Sequence, residues 1–418
     1  MNAETWEIAL QLLSVQSFFS RTVEDIRRGK NVIILHPYGN NFSEISDTIY
    51  DYIFNDKILR KYVVQVVDVT TIDYAPTNLM ELSKLVYPNE SDSNVEKPSS
   101  EYLFNKFPRV TVFNKIHLLK PNQQLTWVKL IKSWADNTDQ IRDKDGSYCT
   151  FCLVEPANNL IGILPESNNN ISWRYWWGFP SSLELRLLCR EKRLRDEVKT
   201  VWFEAVTAGV ASGDLLLADT ILESFPKRLD EVNELLNKNT TEKCPPLELN
   251  IRPSQSYNAN LLDQTVGVPA SLRNDWAKGR ILASYDYGIE WHPITLAQNN
   301  NFQQLEHRMW RGQASILLPL VDQVRLSASS SLVRMYGEKW FTRWFEPQDP
   351  ENTIRLNGNP LDAELGFLRA LQNGKNVFRD SQWKNVLDTT WEIRNKLAHY
   401  EPLDWERFRA FWGYHNYQ

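Results

Sequence analysis

The sequence is short of several things at once, and each shortage closes a class of function. Four cysteines occur in 418 residues, Cys149, Cys152, Cys189 and Cys244, too few for a disulfide framework. Cys149 and Cys152 form a lone C-x-x-C inside an apolar run that reads as a strand. Period two puts them on opposite faces, which argues against a redox pair or a zinc site. The six histidines are scattered without the spacing of a ligand pair, so neither a metal nor a cofactor is expected. Charge of one sign is also missing: a net −5 and a pI near 5.8 leave nucleic-acid contact to a local basic patch. No stretch approaches the roughly 20 apolar residues of a membrane span. Met1-Asn2-Ala3-Glu4 has neither the basic start nor the apolar core of a signal peptide, and a cytoplasmic protein without membrane contact is expected. What the chain does have is aromatic weight, 12% with sixteen tryptophans, including the cluster Trp173-Arg174-Tyr175-Trp176-Trp177. That weight fits core area or, where exposed, a partner surface.

A helical pattern over residues 5–28 leads into Asn31-Val32-Ile33-Ile34-Leu35, a β-branched strand signal, then a loop, then a helix through Ile49 and Ile53. Strand, tight loop and helix are the context of a phosphate-binding loop. Laid on G-x-x-x-x-G-K-[ST], His36 takes the first glycine, Asn41 the second, Phe42 the lysine and Ser43 the hydroxyl, with Gly39 between. Only the hydroxyl survives. Further strands are expected at 62–69, 110–113 and 148–154, with a helix at 124–134 and a surface loop at 89–100. The alternation of strand and helix predicts a mostly parallel sheet.

This order of elements resembles the AAA or STAND type of P-loop NTPase over residues 1–165. The resemblance implies two acidic residues after the third strand for magnesium and water activation. Here those positions are Asn114 and Lys115, and an ammonium can neither bind magnesium nor act as a base. A degenerate domain that does not turn over ATP is expected.

Residues 166–240 read as helices and resemble the small helical or winged-helix domain that follows such cores. Within them, Arg186, Arg190, Lys192, Arg193 and Arg195 form a basic helix side, either a solvated face or a phosphate contact. Residues 241–300 connect, with a possible helix through Trp276 and Arg280-Ile281-Leu282, and His292 as a loop residue before Pro293.

Residues 301–418 read as an all-α bundle. It opens with a long helix over 302–335 that Pro319 should kink or end, continues past a loop at 347–360 to a helix closed by Gly374, and ends in two more helices. The helix approaching residue 400 carries Arg394-Asn395-Lys396-Leu397-Ala398-His399-Tyr400. Asn395 and His399, four apart, share a face, whereas Arg394 and His399 are roughly 140° apart round the axis. Glu392 and Lys396 should pair at i,i+4.

An imidazole to move protons, a guanidinium to hold a phosphodiester and an amide to orient them are the groups that metal-independent RNA cleavage needs. The pattern Arg394, Asn395, three residues, His399 resembles the signature of HEPN domains. That resemblance implies a catalytic set of Arg394, Asn395 and His399, with dimerisation bringing two motifs into one composite site; Lys396 and Tyr400 beside them are candidates for substrate contact, Tyr400 by stacking on a base. The chain then reads as a ribonuclease effector of a prokaryotic defence or toxin-like system, its partners RNA, a second copy, or a protein such as an active ATPase. The alternative is a non-catalytic scaffold, a pseudo-ATPase joined to a binding-only HEPN domain.

Overall fold

The computed structural model describes residues 1–37, 43–72, 76–86, 109–138, 150–156, 170–177, 180–192, 196–238, 268–344 and 350–415. Gly39, Asn41, Phe42, Cys149, Arg193, Arg195, Cys244 and the expected loop at 89–100 lie outside them. Along the chain run α1 (Ala3–Ala9), α2 (Leu13–Arg27), β1 (Asn31–His36), α3 (Ser43–Phe54), β2 (Val63–Asp68), α4 (Leu79–Val86), β3 (Arg109–Asn114), α5 (Pro121–Thr138), β4 (Thr150–Pro156) and β5 (Ile171–Tyr175). Next come α6 (Ser182–Glu191), α7 (Glu197–Val210), α8 (Leu215–Ser224), α9 (Leu229–Lys238), α10 (Arg273–Ala277), β6 (Ile281–Ser284), β7 (Gly288–Trp291) and α11 (Pro293–Gln298). The last are α12 (Phe302–Tyr336), α13 (Pro350–Gly358), α14 (Leu365–Lys375), α15 (Gln382–Ala398) and α16 (Trp405–Trp412). They form two compact units. The first is Met1–Glu184, Gly213–Leu216 and Cys244–Thr295; the second is Leu185–Ser212, Leu217–Lys243 and Leu296–Gln418.

In the first unit, five strands pair in parallel in the order β2-β3-β4-β1-β5. Parallel neighbours need crossovers, which the intervening helices supply. Strand β1 is interior and buried throughout, as its unbroken apolar run requires of a sheet covered on both faces. Strand β5 and the two residues after it hold the aromatic cluster, and they correct one expectation and decide another. The boundary at 165/166 falls short of this strand, which belongs to the sheet; and of the two readings of the cluster, core holds, since Trp173, Tyr175, Trp176 and Trp177 are all buried. Trp176 packs against Trp6 and Phe18, and Tyr175 and Trp177 against Trp276. The single helix expected over 5–28 is two, α1 and α2, with Leu12 extended between them (ψ 135°). That break lets Trp6 fold back onto Phe19 and Trp176.

The edge strand is tied down by a buried carboxylate. Asp25 of α2 accepts hydrogen bonds from Ser172 Oγ at 2.5 Å and Arg174 Nε at 2.8 Å. Asp25→Asn keeps the shape but turns one acceptor into a donor facing donors. It should lower stability by about 2 kcal/mol, read as a lower midpoint of urea unfolding followed at the sheet's tryptophans.

Downstream in the same unit, Ile281 and Leu282 are strand, not helix. Gly279, at φ 67°, ends α10 with its N–H on the Trp276 carbonyl, and the chain turns into the β6–β7 hairpin. His292 is a loop residue, as expected, between β7 and α11. It is buried; its Nδ1 accepts from the Ile294 amide at 3.2 Å, which leaves the proton on Nε2 to donate to Asp214 at 2.7 Å. Cys152 of β4 and Cys189 of α6 are buried too, and burial pushes both thiols up to about 12, out of reach of redox chemistry near neutral pH.

The second unit is helical. Residues 180–192 and 196–238 contain no strand among the described residues, so they do not build the hairpin of a winged helix. The basic side of α6 is internally engaged: Arg190 pairs with Glu204 at 2.5 Å, Lys192 with Asp219 at 2.8 Å, and Arg186 donates to Ser315 at 2.5 Å. A phosphate-contacting helix there would have to break these bonds.

Helix α7 is buried from Val201 to Val210 because α12 lies directly on it. The contact is backbone on backbone. A Cβ at Gly312 would stand 2.0 Å from the Ala205 carbonyl oxygen, and one at Gly209 would stand 2.4 Å from that of Arg308. Helix α12 runs through Pro319 without ending. Among the described helices, α12 is long and apolar enough by composition to cross a membrane; in this fold it packs on α7, α14 and α15. The expected loop at 347–360 contains α13, and α14 is capped by Asn376 in the left-handed conformation (φ 49°), not by Gly374.

Candidate functional site

Helix α15 places the motif. Its apolar residues Trp383, Val386, Leu387, Ile393 and Leu397 are buried, so the polar residues between them face outward. The helix ends at Ala398, His399 is the cap residue, and Tyr400 takes the left-handed conformation (φ 63°). The Glu401 amide then donates back to the Lys396 carbonyl at 2.9 Å, turning the chain sharply.

That turn changes the ion pairs. Lys396 bonds Glu401 at 2.8 Å, while Glu392 pairs with Arg407 of α16 at 3.0 Å. The expected Glu392 to Lys396 pair is absent because both ends have nearer partners. The Lys396 hydrogen bond holds the Glu401 carboxyl below the usual carboxylate range.

Asn395, Lys396 and His399 line one open pocket of about 580 Å³ with Arg369, Asp388, Glu392, Trp391 and Glu401. The His399 imidazole is exposed and makes no hydrogen bond among the described residues. Arg394 is not in this lining. Its guanidinium lies over the Trp391 ring, 5.7 Å from the centroid, and donates to Asn395 Oδ1 at 3.2 Å. Arg369 approaches the same indole at 6.0 Å and bonds Asp388 at 2.5 Å. One helix therefore brings Asn395 and His399 to one pocket, while Arg394 lies outside that lining and reaches only Asn395.

Two residues that sequence spacing did not single out hold this end in place. Gln313 of α12, fully buried, donates to the Leu403 carbonyl at 2.9 Å and accepts from its amide at 2.6 Å. Trp310 donates its indole N–H to the Leu397 carbonyl at 2.7 Å. Both lie some ninety positions from their partners, beyond any local pattern.

In the first unit, His36 and Asn114, of the expected phosphate-loop and magnesium-site positions, stand at the carboxyl ends of their strands, where open α/β sheets bind ligands. His36 ends β1, buried, with its Nδ1 3.2 Å from the Pro37 carbonyl, and Ser43 begins α3. Asn114 ends β3, its Oδ1 buried without a hydrogen-bond partner among the described residues. Lys115, left-handed at φ 64°, bonds Asp68 at the end of β2 at 2.5 Å. Asp68 is held below the usual carboxylate range by that ammonium and by the Thr70 hydroxyl. The acidic residue on this edge thus faces a lysine. No group of three or more candidate metal ligands occurs among the described residues.

The first unit is therefore an α/β unit built on a five-stranded parallel sheet of order β2-β3-β4-β1-β5. Neither a protein-family model nor a curated protein matches the chain. Among solved structures it is similar to the ORC2 protein of Aeropyrum pernix in ADPNP and ADP complexes, with 12% identity, a TM-score of 0.34, and 72% of this chain and 93% of that one covered. It is also similar to the RuvB Holliday junction branch migration motor of Thermotoga maritima (12%, 0.32, 68% and 92%). Drosophila ORC bound to poly(dA/dT) DNA and Cdc6 shows 9% identity, a TM-score of 0.29, and coverage of 99% and 72%. At these scores the fold reading rests on the sheet itself.

Proposed function

We propose that the chain is a HEPN-type ribonuclease effector of a prokaryotic defence or toxin-like system. Its AAA- or STAND-like domain does not turn over ATP and serves as the docking and control module. The observation that carries this reading is the His399 imidazole, exposed, without a hydrogen bond among the described residues, in a pocket with Asn395 and Lys396. In this reading His399 takes the 2′-hydroxyl proton as that oxygen attacks phosphorus. A 2′,3′-cyclic phosphate forms, the bond to the 5′-oxygen breaks, and that oxygen receives a proton. Arg394 holds the non-bridging oxygens with parallel hydrogen bonds. Because Arg394 lies outside the His399 pocket in one protomer, a second copy or a partner completes the site.

One observation favours the second reading, a non-catalytic scaffold. Three carboxylates, Asp388, Glu392 and Glu401, share the pocket with two cations, Arg369 and Lys396, whereas phosphate contact calls for net positive charge. Incubating the purified full chain with RNA, with chelator and separately with magnesium, decides between them. Wild type should cut and Arg394→Ala and His399→Ala should not. RNA equally intact with all three, at concentrations where the chain self-associates, sinks the ribonuclease.

For the first unit, titration calorimetry should show no saturable ATP binding tighter than about 1 mM. Tight binding lost in Ser43→Ala would overturn the pseudo-ATPase.

A further inference from the structure

Tyr400 combines two features that a merely structural tyrosine would avoid. It occupies the left-handed position just past a helix, where glycine is usual, and its side chain is 61% exposed. Its ring is nonetheless fixed. Trp310 meets it edge-on with centroids 4.7 Å apart, and Trp310 is itself anchored to the Leu397 carbonyl. His307, one turn before Trp310 on α12 and also exposed, packs on that indole at 5.1 Å and lies nearly parallel to Tyr400, 27° off at 6.3 Å. The result is a braced aromatic shelf beginning one residue after His399. Backbone strain retained at such a place points to function.

We propose that His307, Trp310 and Tyr400 form a stacking shelf for an unpaired base of single-stranded RNA, next to the phosphodiester at His399. An exposed ring offers a π-face to any base, and only an unstacked base can reach it, so the shelf selects single strands over duplex. The identity of the ligand rests on the ribonuclease reading, since His399 and Tyr400 are chain neighbours.

The test uses the full chain carrying His399→Ala, so that RNA stays whole, and a short single-stranded RNA with a fluorescent 2-aminopurine base, alongside its duplex. Adding Tyr400→Gly should weaken single-strand binding about tenfold or more while leaving the melting temperature equal or higher, because glycine relieves the left-handed backbone. Tyr400→Phe should bind like its parent. The shelf is overturned if the glycine variant binds unchanged, if duplex binds as tightly, if no RNA binds, or if the glycine variant melts several degrees lower. In that last case the tyrosine serves the fold, or a protein partner covers it. The two claims separate cleanly. Binding through Tyr400 without cleavage by wild type sinks the ribonuclease and leaves the shelf; cleavage indifferent to Tyr400→Gly does the reverse.

Discussion

Gly312→Ala is expected to cost more than about 3 kcal/mol, above the usual range for adding a methyl group to a packed core. The new Cβ would meet the Ala205 carbonyl oxygen at 2.0 Å and the Gly209 Cα at 2.9 Å. Both are backbone atoms of α7, so no side chain can rotate away and the helices must separate. Separation then uncovers the apolar surface of α7 and strains the buried Glu204 that Arg190 holds. Gly374→Ala in α14 is the control, since its Cβ meets nothing within 4 Å. It should stabilise by up to about 1 kcal/mol through helix propensity. Urea unfolding of the pair should therefore shift in opposite directions. Equal and small shifts would mean that α7 and α12 do not touch through their glycines.

His399→Ala is expected to lower RNA cleavage by about 10² to 10⁴-fold, the usual contribution of a proton-transfer group. Arg394→Ala should lower it by about 10² or more, as loss of an anion-stabilising donor does. The sharper result comes from mixing the two inactive chains. If each site takes its arginine from one copy and its histidine from the other, half the dimers are mixed and one of their two sites is intact. Activity should then recover to about a quarter of wild type, as the symmetry of a two-fold pair requires. A site complete within one protomer would show no recovery, and Arg369, which does line the His399 pocket, would become the cation to replace.

Much of the fold was legible because its signals are local. The β-branched run at Asn31 to Leu35, the alternation that follows it, and the three-and-four spacing of α15 each report one element's own burial. The placement of the candidate residues was legible to the same depth: spacing alone put Asn395 and His399 on one face and Arg394 off it. What escaped depends on pairs distant in sequence. The cluster from Trp173 to Trp177 stayed open between core and surface because nothing at residue 173 announces that β1 will pair with it. The loop position of His292 was legible, but its burial was not, because its acceptor, Asp214, lies in another stretch of chain. Lys396 found Glu401 instead of Glu392 because Tyr400 takes a conformation that a tyrosine's identity argues against.

The burial of α7 has a consequence for how this chain is made. Its main partner α12 begins about ninety residues after α7 ends, a stretch that emerges in roughly 5–20 seconds at ordinary translation rates. Through that interval a helix whose last ten residues are buried in the fold has left the ribosome without its glycine-faced neighbour. Nascent chains paused between the two helices should therefore be the species that chaperones capture and that aggregates first.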